Sequence, residues 1–144
     1  MLRIADGACD LTSDGAPVLT DASRAVKVAM SLFADLPHEQ VWCVLVNGRN
    51  ALLGAVRIAE GGLHGCAMTP GDVLRPVLLR GAPRFFLFHN HPSGDPTPSV
   101  ADFSTTKAVD KACEVVGVSL VDHVVVCPES GRWASLYEMG VIGG

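Results

Sequence analysis

One stretch restricts the folds open to this chain more than any other: RFFLFHNHPSGDPTPSVAD, residues 84–102. RFFLFHN reads as a short, apolar strand, and its end delivers His89 and His91 into a loop with prolines at 92, 96 and 98. Ser99 then starts a helix that is expected to end near Gly117. A strand with no polar side suits a sheet covered on both faces.

The flanking segments fit such layers. Ala22, Ala25, Val26, Ala29, Leu32, Phe33 and Leu36 recur at helical spacing, which predicts a helix over about 20–36, capped by Thr20 or Asp21. VWCVLVN predicts a buried strand, Asn47-Gly48 a turn, and ALLGAVRIA the returning strand of a hairpin. Thr69-Pro70 opens a helix to about Arg80, with Asp72 in its first turn. Pro76 inside it predicts a kink or two short pieces, because an interior proline costs about 3 kcal/mol. VSLVDHVVVC is a further strand, 128–131 a turn, 132–135 a short edge strand and LYEMG a last turn or short helix. Residues 1–19 are weakly patterned and read as an arm before one domain over 20–144. The order describes a three-layer α/β/α sandwich with a mixed sheet.

Composition narrows the function classes. No apolar run reaches the ~18 residues of a membrane span, and MLRIADGACDLTSDGAP lacks the pattern of a signal peptide. A cytoplasmic protein is expected. The five cysteines, Cys9, Cys43, Cys66, Cys113 and Cys127, form no C-x-x-C and read as reduced thiols. The net charge is −4 with no basic cluster, so no nucleic-acid partner is expected.

Alternate residues of an extended chain point the same way, so His89 and His91 can face one ion. Asp102 would join them from the first turn of the next helix. Two imidazoles and one carboxylate are the ligand set of an open zinc site, with a fourth position for water. Two structural alternatives stand beside this: histidines that are merely hydrogen-bonded in a loop, and Ser99-x-x-Asp102 as a helix-capping pattern. A hydrolytic site also needs a base. Glu39, ahead of a buried strand, and Glu60, beside Gly61-Gly62, are both candidates.

These residues carry a resemblance. Glu39, His89-Asn90-His91, Ser99 and Asp102 are similar in type and spacing to the motif of the JAMM/MPN (JAB) zinc metallopeptidases. HNHPSGDPTPS, LVDHVVV and WASLYEMG resemble the RadC-type branch, and the resemblance covers about 37–140. It implies a cytidine-deaminase-like MPN fold and one Zn2+ held by His89, His91 and Asp102. It further implies Glu39 as general base, with Glu60 the fallback, and Ser99 as a stabiliser of the oxyanion. The implied substrate is a peptide or isopeptide, including conjugates of ubiquitin-like modifiers. Asp122 and His123 match the branch outside the core motif, and His123 is a candidate to orient a ligand from behind. His38 and His64 read as ordinary. A helix-hairpin-helix domain usual in the branch has no counterpart in residues 1–19. Two rival readings are a non-catalytic interaction module and a DNA-repair-associated RadC-type protein.

Overall fold

The computed structural model describes residues 3–5, 8–10, 16–34, 36–61 and 68–143, the first two segments as backbone strands. Its elements run β1 Arg3–Ala5, β2 Ala8–Asp10, α1 Ala22–Phe33, β3 Gln40–Val46, β4 Leu52–Glu60, α2 Pro70–Leu79, β5 Arg84–Asn90, α3 Val100–Val116, β6 Ser119–Cys127 and β7 Arg132–Ser135. The strands form one sheet in the order β1-β2-β4-β3-β5-β6-β7. Among the described strands only β5 and β6 pair in parallel, joined by the α3 crossover. The sheet is therefore mixed, as the element order predicts.

Both faces of the central strands are buried, which produces the three layers. Trp42, Val44 and Val46 of β3 and Phe86 and Phe88 of β5 pack with Ala25, Ala29 and Phe33 of α1. Val41, Cys43, Leu45, Phe85 and Leu87 point the other way, against Val73 and Val77 of α2 and Val109 and Cys113 of α3. The period of two along each strand decides which side chain meets which helix. Among the described residues no helix is long and apolar enough to cross a membrane.

Three local expectations differ from the structure. First, α2 is one continuous helix through Pro76, so of the two outcomes expected there the two short pieces do not occur. A capping box between Thr69 and Asp72 secures its start, and buried Val73, Leu74 and Val77 hold it to the sheet. Second, the β3–β4 turn is wider than Asn47-Gly48. Asn50 N–H donates to the Asn47 carbonyl at 2.9 Å, and Asn50, not Gly48, takes the left-handed φ of 61°. Asparagine tolerates that region better than most residues. Third, the weakly patterned lead-in contains β1 and β2, which pair antiparallel and extend the sheet from β4. Cys43, Cys113 and Cys127 are free and buried. His64 and Cys66 lie outside the described residues.

Candidate metal centre

The alternation that builds the core also gathers the polar groups. Phe85 and Leu87 of β5 face α2 and α3, so His89 and then His91 fall on that face as well. There His89 Nε2 and His91 Nε2 stand 3.0 Å apart. Asp102, third residue of α3, places Oδ2 3.5 Å from His89 Nε2 and 3.9 Å from His91 Nε2. The loop between them folds back on itself. Gly94, at φ 88°, turns the chain so that the Asp95 carbonyl accepts from His91 Nδ1–H at 2.9 Å. The backbone N–H of His91 donates to Val126 at 3.0 Å, which prolongs the β5–β6 ladder by one residue.

The helix-capping reading and the metal reading describe the same atoms. Ser99 Oγ accepts from Asp102 N–H at 3.1 Å, and Asp102 Oδ2 accepts from Ser99 N–H at 2.7 Å. This capping box holds the carboxylate of Asp102 in place. Burial pushes the Asp102 carboxyl up, but the hydrogen bond of His89 and its charge when protonated, with the bonds from Ser99, hold it well below the usual range in the metal-free chain.

Glu39 continues the odd-numbered face one residue ahead of β3, and its Oε1 lies 3.8 Å from His91 Nε2. Glu60 points elsewhere: it meets His38 Nε2 at 2.9 Å, Gln40 Nε2 at 3.2 Å and Arg57 at 3.4 Å. The His38 bond is the main cause holding the Glu60 carboxyl below its ordinary value.

Asn90, between the two histidines, was not legible as a site residue. Its side chain, 1 % exposed, is a clamp on Glu39. Oδ1 accepts from Gln40 N–H at 2.7 Å, and Nδ2–H donates to the His38 carbonyl at 3.1 Å. The side-chain amide thus acts as one more rung of the β3–β5 ladder, pinning the backbone on both sides of Glu39. Asn90→Leu strips partners from two backbone groups and is expected to destabilise the fold by about 1–3 kcal/mol. Urea denaturation measures this; an unchanged midpoint would show that the clamp contributes nothing.

The two residues of the LVDHVVV strand have separate surroundings. His123 is buried, with Nε2 2.8 Å from His89 Nδ1 and Nδ1 2.6 Å from Thr106 Oγ. Burial foremost, and the charge of His89 when that ring is protonated, push its pKa well below the imidazole range. Asp122 instead accepts from Ser135 Oγ–H and, at 3.0 Å, from Tyr137 N–H, anchoring the chain after β7. Burial pushes the Asp122 carboxyl above its usual value, against those bonds. A folded carboxyl with a raised pKa adds stability below its unfolded pKa, and this is lost as pH rises through the folded value. Asp122→Asn is therefore expected to flatten that part of the stability–pH profile. Urea titrations of both chains, from the acid range to neutrality, check it; parallel profiles would contradict it.

The donor set fits a metal ion. Donors about 2.0–2.1 Å from a tetrahedral zinc stand about 3.3 Å from one another; the three separations here are 3.0, 3.5 and 3.9 Å. His91 Nδ1–H is committed to a carbonyl, so its Nε2 offers a lone pair to the same point. A groove of about 1070 Å³ lies on the α1 side of the sheet, walled by Val26, Met30, Phe33 and Trp133; it reaches His91 but is not lined by His89, Asp102, Glu39 or Ser99.

A family model described as a RadC-like JAB domain matches residues 19–141. A UPF0758 protein of Listeria monocytogenes is 38% identical over 116 residues, covering 81% of this chain and 51% of the relative. A UPF0758 protein of Carboxydothermus hydrogenoformans is 42% identical over 89 residues, covering 62% and 39%. One of Geobacter sulfurreducens is 30% identical over 110 residues, covering 76% and 47%. The chain spans about half the length of the curated relatives it matches.

Proposed function

The chain belongs to the RadC-like JAB domain family, and we propose that it is a zinc-dependent hydrolase of peptide or isopeptide bonds. The observation that carries this reading is the convergence of His89, His91 and Asp102 on one point, with their ligand atoms all within 4.8 Å. Zinc held by these residues would supply a Lewis acid and would lower the pKa of water there towards 7. Everything else falls to the chain's own side chains.

His89 and His91 present neutral imidazoles, and Asp102 supplies the one charged ligand. Glu39 is the general base: held beside His91, its carboxylate takes a proton from the attacking water and returns it to the leaving amine. Ser99 Oγ accepts the cap bond from Asp102 N–H. Its own hydrogen is then available to the oxyanion that develops on the attacked carbonyl. A conjugate of a ubiquitin-like modifier is one substrate of the peptide or isopeptide class.

The full chain, loaded with zinc, should cleave within a panel of fluorogenic peptides and ubiquitin-like conjugates. Chelation should stop cleavage and added zinc restore it. A chain that takes up no zinc, or cleavage indifferent to chelation, would refute the proposal.

A further inference from the structure

We propose that the Thr106 hydroxyl, acting through His123, determines which nitrogen of His89 is free for the metal, an inference that rests on the metal reading above. Thr106 is a positioning residue here: it contacts the backbone carbonyl of Asp102 and the ring of His123, and no ligating atom. It lies one helical turn after Asp102 on the inner face of α3 and is fully buried.

The direction of the hydrogen bonds carries the argument. Thr106 Oγ is 2.7 Å from the backbone carbonyl of Asp102. A carbonyl only accepts, so the single hydroxyl hydrogen goes there. Reversing it would set two acceptors against each other at that distance. The hydroxyl oxygen must then accept from His123 Nδ1–H, 2.6 Å away. His123 is 2 % exposed, and the described contacts of its ring are Thr106 and His89, with no carboxylate, so the ring is neutral. With Nδ1 protonated, its Nε2 has only a lone pair. That lone pair accepts from His89 Nδ1–H at 2.8 Å. His89 is thereby left with a bare Nε2, the atom that faces His91 and Asp102.

The relay begins on the carbonyl of one ligand residue, Asp102, and ends on the ring of another, His89. It ties the ligand-bearing turn of α3 to the ligand-bearing end of β5 through the middle of β6. His91 obtains the same tautomer by a shorter route, from the Asp95 carbonyl.

Packing alone and the relay predict opposite orders for two substitutions. Thr106→Val keeps the shape of the side chain and removes the hydroxyl; Thr106→Ser keeps the hydroxyl and removes a methyl group. If Thr106 only fills space, the valine chain is the better binder. Under the relay, Thr106→Ser binds zinc close to wild type and Thr106→Val binds about 10–100-fold more weakly, the usual effect of losing a partner behind a ligand. Competition of the full chain against a chelator for Zn2+ measures the affinities. Circular dichroism and urea denaturation establish that each variant is folded. A valine chain that binds zinc as tightly as the serine chain overturns the relay and leaves the metal reading standing. A wild-type chain that binds no zinc removes both.

Discussion

Glu39→Gln is expected to keep one equivalent of zinc and to lower hydrolysis by about 10²–10⁴-fold, the range that a positioned general base contributes. The separation of these two effects follows from where Glu39 lies. The three converging donors come from the end of β5, the residue that follows it and the start of α3. Glu39 comes from the chain ahead of β3, and its carboxylate is 3.8 Å from a single imidazole nitrogen. Glutamine has the same shape and can still hydrogen-bond to water, but it cannot take a proton at neutral pH. Metal analysis and initial rates on the same preparation check the prediction. Retained turnover would remove Glu39 from the chemistry. Glu60 would then need to leave His38, Gln40 and Arg57 to serve in its place.

His89→Ala and Asp102→Ala are each expected to lower the zinc content from one equivalent to near none and to abolish hydrolysis with it. Each substitution leaves two protein donors where an open zinc site uses three. Both also damage the frame around the ligands. Losing the Asp102 carboxylate removes half of the capping box, worth about 0.5–2 kcal/mol for the cap as a whole. Losing His89 leaves the buried His123 Nε2 without its donor. Metal analysis after dialysis, with denaturation midpoints alongside, separates loss of ligand from loss of fold. Asp102→Asn is the companion variant, because its amide oxygen can still accept from Ser99 N–H. Full zinc occupancy in a folded Asp102→Ala chain would take Asp102 out of the ligand set.

Much of the fold was legible because burial follows period. Apolar residues three and four apart gave α1, and the continuous run in β5 required a sheet covered on both sides. Caps were legible for the same local reason: Thr69 and Ser99 accept from residues three positions on. What local pattern missed, partners far along the chain decided. β1 and β2 are three residues each, too short to show a period, and exist as strands because β1 pairs with β2 and β2 with β4. Pro76 argues against a single helix by its own chemistry, and the packing of Val73 and Val77 outweighs it. Asn90 and Thr106 look like ordinary polar residues, and their partners are 50 and 17 positions away.

The sequence by itself determined the metal-ligand candidates, the family resemblance and the layered α/β class, because each is written in residue types at short, regular spacing. It left two questions open that only the tertiary structure decided. Which of the carboxylates of Glu39 and Glu60 lies beside the histidines depended on the β3–β5 register. Whether His123 stands behind a ligand depended on the parallel pairing of β5 with β6, which sets Leu87 against His123 and brings its ring to His89. Register is a relation between distant strands, and no window of the chain contains it.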